Sequence, residues 1–121
     1  MRVGITGHSN LTADTELLVA EALRAVLAPC GEGLVGVSCL ARGADQVFAR
    51  VVLDLDGRLE VVLPAEDYRQ VKVKPDNAAV FDELIRRAAA VHVMSFGESN
   101  REAYMAASRR VLDSVDRLVA V

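Results

Sequence analysis

Short apolar runs alternate with longer segments of helical periodicity along the whole chain. Runs rich in valine, leucine and isoleucine predict buried strands, and apolar positions spaced three and four residues apart predict amphipathic helices. The five predicted strands are Arg2–Thr6, Leu34–Cys39, Arg58–Leu63, Ala90–Met94 and Arg117–Val121. The four predicted helices are Thr12–Ala28, Gly43–Leu55, a third one capped by Asp76 or Asn77, and Ser99–Asp113.

This alternation predicts a single α/β domain of three layers, built on a parallel five-stranded sheet. With right-handed crossovers, the simplest strand order is 3-2-1-4-5. In that order the chain reverses its direction of travel between strands one and four, and the crevice at their carboxyl ends is the expected ligand site. The longest connection, Ala65–Asn77, is predicted to be irregular, either as a binding loop or as a solvated link.

The composition limits the classes of protein to which this chain can belong. Hydrophobic residues make up 52% of the chain and aromatic residues only 4%, so the core is expected to be aliphatic. A net charge of −3 gives no broad positive surface for duplex DNA or an anionic membrane. No apolar run approaches the ~20 residues of a membrane span, and the start does not resemble a signal peptide, so we expect a cytoplasmic protein.

The two cysteines do not form a recognisable metal motif. Cys30 and Cys39 are too few and wrongly spaced for a zinc site. A disulfide between them is one interpretation, and reduced thiols are the interpretation favoured for a cytoplasmic chain. No metal site is expected.

The first candidate ligand turn follows the first strand and consists of Gly7, His8, Ser9 and Asn10. A helix start leaves unpaired N–H groups and a partial positive charge that point at such a turn. Glycine lets a ligand approach the backbone, and the His8 and Ser9 side chains can add hydrogen bonds. The pattern is typical of nucleotide-binding α/β domains, and it also arises where a strand only needs a tight exit.

The second candidate turn follows the second strand and contains Ser38, Leu40, Arg42, Gly43 and Asp45. Its small residues would let a phosphate or a ribose reach the backbone. Arg42 can bind phosphate through two parallel hydrogen bonds. Asp45 can accept a hydrogen bond from a sugar hydroxyl, or it can serve only as a cap for its own helix.

The third candidate turn, Phe96–Asn100, follows the fourth strand. Ser99 with Glu102 matches a capping box, which leaves Glu98 and Asn100 to bind a base or a ribose. We expect all three turns to meet at the carboxyl edge of the sheet. Lys72 and Lys74 in the long connection would close over an anion there, or they are ordinary surface lysines.

The run Ser38–Asp45, which reads Ser-Cys-Leu-Ala-Arg-Gly-Ala-Asp one strand after a Gly-x-x-Gly turn, resembles the SMF/DprA–LOG superfamily. This group has a Rossmann-like core and includes DprA-type DNA-processing proteins, cytokinin-activating phosphoribohydrolases and bacterial proteins thought to sense nucleotide-derived ligands. The resemblance implies a nucleotide or nucleoside-phosphate ligand. By position, Gly7, His8 and Ser9 match the family's first ligand turn, and Ser38, Arg42, Gly43 and Asp45 match its second.

The chain departs from the phosphoribohydrolase branch, which carries a Gly-Gly-x-Gly-Thr turn and then a glutamate after the fifth strand. There are no adjacent glycines here, and the sequence ends at Val121, where that turn would begin. Either the single domain is truncated at this end, or the remainder lies in another chain, or this member lacks the motif. We therefore expect a sensor or binding module rather than a hydrolase. If the chain is an enzyme, Glu98 is the candidate acid/base group. Single-stranded DNA binding of the DprA kind is the third hypothesis. The net negative charge of the chain makes nucleic acid a less favoured partner.

The fifth predicted strand has no helix after it in this sequence. An uncovered strand leaves apolar surface and an unpaired edge, which predicts a homo-oligomer, most simply a dimer.

Overall fold

The computed structural model describes all 121 residues and contains five strands, five α-helices and two short 3₁₀ turns. The strands are β1 (Arg2–Thr6), β2 (Val35–Ser38), β3 (Arg58–Leu63), β4 (Ala90–Val93) and β5 (Arg117–Ala120). The helices are α1 (Ala13–Leu27), α2 (Ala44–Asp54), α3 (Tyr68–Lys72), α4 (Ala78–Arg87) and α5 (Arg101–Ser114).

The strands form one parallel sheet in the order β4-β3-β2-β1-β5. The α/β class and the five-stranded parallel sheet are confirmed, but the predicted order 3-2-1-4-5 is wrong. β4 pairs with β3, and β5 takes the other side of β1. Backbone hydrogen bonds fix β4 there at both ends: the Ala89 amide donates to the Leu59 carbonyl at 2.7 Å, and the Met94 amide donates to the Leu63 carbonyl at 2.9 Å. The chain therefore reverses one step later than predicted, between β4 and β5.

Helices cover both faces of the sheet, unequally. The first face carries α1, α2 and α4. Two apolar clusters join the strands to these helices: Val3, Ile5, Leu23, Leu27, Phe48 and Val52 in one, and Leu59, Val61, Phe81 and Leu84 in the other. The second face carries α5 alone, where Ala107 and Val111 pack on Val37 and Val62.

An ion pair on the second face ties the far end of α5 to the sheet. The Arg2 guanidinium on β1 reaches across β2 to Glu60 on β3, with Nη2–Oε1 at 2.7 Å and Nη1–Oε2 at 3.0 Å. Its Nε donates to the Ser114 carbonyl at 2.6 Å. The hydrogen bond from Arg2 holds the pKa of Glu60 below its ordinary value.

The long connection predicted to be irregular is folded over most of its length. It contains α3 and a 3₁₀ turn, Pro75–Asn77, and Tyr68 anchors it by burying its ring against Phe81. Cys30 and Cys39 are both free thiols. None of the helices has the length and apolar character needed to cross a membrane.

Close contact between α2 and β2 depends on Gly36. A Cβ atom at this position would lie 2.5 Å from Val52 Cγ2 and 3.1 Å from Phe48 Cε2. Any side chain at residue 36 would push α2 away from the sheet.

We expect Gly36→Ala to lower the free energy of unfolding by about 1–3 kcal/mol, because an added methyl group overpacks a filled core. Urea denaturation followed by circular dichroism measures this change. The matched control is Gly97→Ala, where an added Cβ meets nothing within 4 Å. Equal stability of the two variants would contradict the close packing of α2 on β2.

Candidate functional site

A cavity of about 300 Å³ opens at the carboxyl ends of β1, β2 and β3, under α5. Its floor comes from the ends of the strands and the turns after them, including Thr6, Gly7 and Cys39. Its roof is the face of α5 that carries Tyr104, Ser108 and Leu112. Asp45 is the one charged residue in a wall that is otherwise apolar or weakly polar.

The Asp45 carboxylate lies partly buried in the first turn of α2. Burial raises the pKa of Asp45 to about 6, and the backbone amides of Ala41 and Cys39 act in the opposite direction. Burial also raises the pKa of the neighbouring Cys39 thiol to about 12, so that group stays protonated. The cavity thus contains one acceptor whose charge changes just below neutral pH.

Two tyrosines form one side of the cavity. The rings of Tyr68 and Tyr104 meet edge to face, with centroids 6.1 Å apart and an interplanar angle of 73°. Tyr68 is buried and anchors α3, whereas Tyr104 is 36% exposed. Sequence reasoning missed Tyr104 as a site residue, because its position in α5 indicated only packing.

Basic side chains surround the cavity but do not enter it. One adjoining groove contains Arg42, Lys72 and Lys74 together with Ser9 and Asn10. A second groove, along the outer side of α5, contains Lys72, Arg101 and Arg109. Tyr104 borders the cavity and both grooves.

Arg42 already has an acidic partner. Its guanidinium binds Asp76 through two hydrogen bonds of 3.1 and 2.9 Å, on the exposed side of the 3₁₀ turn. The hydrogen bond raises the pKa of Arg42 and lowers that of Asp76. Water screens such an exposed pair and it contributes little to stability, so an anion can compete for Arg42.

The first and second turns are pressed against each other. The Ala44 amide donates to the His8 carbonyl at 3.1 Å. A Cβ at Gly43 would lie 2.5 Å from the His8 carbonyl oxygen, and the Gly43 φ of +96° strains any other residue. A Cβ at Gly7 would lie 2.7 Å from Ala44 Cβ. Both glycines therefore allow the turns to pack closely, while the His8, Ser9 and Asn10 side chains stay exposed.

Ser38 and Leu40 are buried and give the second turn its shape. The Ser38 hydroxyl accepts from the Leu40 amide at 3.0 Å and donates to the Asp45 carbonyl at 3.3 Å. The Leu40 carbonyl accepts from Gln46 Nε2 at 3.2 Å. Gln46 exchanges two further hydrogen bonds with the Asn77 amide, at 2.8 and 3.0 Å, which fixes this turn to the end of the long connection.

The third turn lies elsewhere, so the predicted crevice between strands one and four does not form. Because β4 pairs with β3, the segment 94–100 passes over the end of β3, where the Glu66 amide donates to the Phe96 carbonyl at 2.9 Å. Glu98 is exposed and lines neither the cavity nor the two basic grooves. Asn100 lies at the edge of the groove along α5.

The capping box assigned to Ser99 is also wrong. Asn100 caps α5, and its side-chain oxygen accepts from the Ala103 amide at 2.9 Å. Ser99 is bound to Asp67 instead: its amide and its hydroxyl donate to Asp67 Oδ1 at 2.8 and 2.6 Å. No group of three or more histidine, cysteine or acidic side chains is arranged to hold a metal ion.

No protein-family model matches this chain, and no curated protein matches it either. Solved structures do match. DNA processing protein A (DprA) from Streptococcus pneumoniae superposes with a TM-score of 0.70 at 18% identity, over 98% of this chain and 40% of its own length. DprA from Helicobacter pylori, which binds single-stranded DNA, gives 0.70 at 20% identity, over 99% of this chain and 53% of its own.

TM1055, a structural-genomics target, gives a TM-score of 0.63 at 15% identity, over 99% of this chain and 59% of its own length. The chain has the Rossmann-like fold of these proteins. It spans between two fifths and three fifths of their lengths. At these identities the likeness shows the fold alone.

We expect Asp45 to lower the free energy of unfolding progressively as the pH rises from about 4 to about 6. The unfolded carboxyl ionises near its ordinary pKa of 3.8 and the folded one near 6, so folding becomes less favourable across this window and the loss is complete above it. Urea unfolding of the wild type and of Asp45→Asn at a series of pH values measures the effect. The stability of the variant relative to wild type should rise with pH and level off near 6, and a constant difference would contradict the raised pKa.

Proposed function

We propose that this chain binds a nucleotide-derived small molecule in the cavity under α5, as a sensor or binding module. The observation that carries the proposal is the distribution of charge. One carboxylate lies inside a small, mainly apolar cavity, and the cations lie only in the grooves outside it. A ligand with an uncharged ring system, hydrogen-bond donors and an anionic tail complements this distribution.

The cavity suits the nucleoside part of such a ligand. Ligand sites in proteins are mostly apolar clefts of about 300–1,000 Å³ with a few placed polar groups, and this cavity is at the small end of that range. The Asp45 carboxylate would accept from a ribose hydroxyl or an exocyclic amine. Tyr104 presents an aromatic ring at the mouth on which a base can stack.

The basic groove next to the cavity suits the phosphate. Lys72 and Lys74 line it, and Arg42 would join them by leaving Asp76. Ser9 and Asn10 line the same groove and would face the bound phosphate. His8, Gly7 and Gly43 would hold this side of the groove in place. Ser38 and Leu40 support the turn from inside.

A phosphoribohydrolase is less well supported than a binding module. Hydrolysis of a glycosidic bond needs an acid or base carboxylate at the bound ligand. Glu98, the group suggested by the sequence, is outside the cavity. Base release from bound AMP that persists in Glu98→Gln and is lost in Asp45→Asn would instead assign the acid/base role to Asp45.

Single-stranded DNA binding is the second candidate function, and one observation favours it. The exposed ring of Tyr104 is flanked by Lys72, Arg101 and Arg109 along one open groove. Stacking aromatics with a basic groove are what proteins use to bind single strands without sequence preference. The shared fold with the Helicobacter pylori DprA agrees with this candidate but does not carry it.

For the first function, we expect isothermal titration with AMP, ADP-ribose, NAD and cyclic nucleotides to detect binding of at least one of them. Tyr104→Ala should weaken that binding about tenfold, since base–aromatic stacking contributes about 1–3 kcal/mol, and Tyr104→Phe should retain it. Lys72→Ala should weaken AMP more than adenosine, because only AMP has the phosphate. Arg87→Ala, on the opposite face of the sheet, is the matched control. Folded protein that gives no heat with any of these ligands would contradict the proposal.

For the second function, we expect a labelled oligo-dT to bind at low salt, with affinity that falls as salt rises. Fluorescence anisotropy should show weaker binding and a smaller salt dependence for the double variant Arg101→Gln/Arg109→Gln. The control with the same charge change is Arg86→Gln/Arg87→Gln on α4. If the two double variants bind equally, or if the wild type does not bind at low salt, this candidate fails.

A further inference from the structure

Helix α1 has two apolar sides, and only one of them meets the core. Leu23 and Leu27 are buried against the sheet. On the outside, Leu17 and Leu18 are each 66% exposed and Val26 is 44% exposed. The sequence pattern predicts that Ala22 and Val26 belong to the core face, but both lie on the exposed side. A surface helix is ordinarily polar there, so this side has the character of a contact surface.

The outer stripe of α1 is free of charge along its centre. Residues Thr15, Leu18, Ala22 and Ala25 recur at spacings of three and four, which places them on one line along the helix. Exposed apolar side chains also lie on α3 (Val71), on the edge strands (Val91 and Val93 on β4, Leu118 on β5) and on α5. On α5, Met105 and Leu112 alternate with Arg101 and Arg109, so two copies packed through this helix would bring like charges together.

The charges beside the α1 stripe are self-complementary. Asp14 lies in the first turn and Arg24 in the last turn. Their spacing of three and four places Leu17 and Glu21 between them on the same flank. Asp14 and Arg24 are ten positions apart, about 15 Å along the axis, and residue 19 is their midpoint. In an antiparallel pair of α1 helices related by a two-fold axis near this midpoint, Asp14 of each copy faces Arg24 of the other at both ends. The helix dipoles then oppose each other, which is also favourable.

Arg24 is available for such a contact. It binds Asp54 on α2 at 2.9 Å, and both side chains of that pair are about half exposed. A guanidinium has five donors, so a second carboxylate can be added without breaking the first pair. Glu21 is the unfavourable element, because it would approach its own copy near the axis.

We propose that the outer face of α1 is a homodimer interface, in which two copies of this chain pack their α1 helices antiparallel about a two-fold axis. Leu18 lies one residue from the midpoint, so the two Leu18 side chains meet near the axis and form the apolar centre. Two-fold contacts of this kind are the commonest form of homo-oligomer. The interface is on the opposite face of the sheet from α5 and therefore leaves the proposed ligand cavity open.

Sedimentation equilibrium tests the apolar centre. The wild type should reversibly dimerise, and Leu18→Glu should raise the dissociation constant at least tenfold. It should change neither the circular dichroism spectrum nor the urea midpoint measured at a concentration at which both proteins are monomeric, since Leu18 is exposed. The matched control, Val71→Glu, changes a side chain that is 60% exposed on α3 and should dimerise as wild type does. Glu21→Gln should tighten the dimer by removing the carboxylate pair at the axis.

A charge exchange tests the antiparallel register. Asp14→Arg and Arg24→Asp should each weaken the dimer, and the double variant should restore it, because each copy then supplies both exchanged partners. A wild type that stays monomeric at about 100 µM, a concentration that populates even weak micromolar dimers, would overturn the proposal. So would a dimer that survives Leu18→Glu, or a double variant no better than the two single ones.

Discussion

The return of the chain from one edge of the sheet to the other determines the rest of this structure. From β1 to β4 the chain advances strand by strand in one direction, and right-handed crossovers place α1, α2 and α4 on one face. The step from β4 to β5 runs the opposite way, so the same rule places α5 on the other face. A single helix therefore covers that face, and Val37, Val62 and the Arg2–Glu60 pair hold it there. The cavity exists because α5 roofs the carboxyl ends of three strands at once.

The same geometry separates the charges. Asp45 points into the space that α5 roofs, where loss of water raises its pKa. The cations come from segments that border this space on the outside: the second turn, the end of α3 and the outer side of α5. Tight packing of the first turn on Gly43 keeps these segments in register. The site thus depends on contacts between turns as much as on the turns themselves.

Local pattern was enough to predict the elements but not their pairing. The bounds of β1 and β3 agree with the prediction because apolar runs with clear turn residues mark them. β4 and β5 are both short apolar segments, and nothing in either says which neighbour it will hydrogen-bond, so the strand order was wrong. The strand order also decides which of the three candidate turns come together. The first two turns follow β1 and β2, which pair, and they do meet. Glu98 instead follows β4 to the far side of β3. Ser99 and Asn100 are both good capping residues, and only the distant Asp67 decides between them.

The contact between Tyr68 and Tyr104 allows the cavity to be followed by intrinsic tyrosine fluorescence. These are the chain's two tyrosines, and it contains no tryptophan. Both rings line the same wall and lie 6.1 Å apart. The intrinsic ultraviolet fluorescence of the whole protein therefore originates almost entirely from this one wall. Anything that enters the cavity, or moves α5 relative to α3, is reported by the unlabelled molecule, without a background from the rest of the fold.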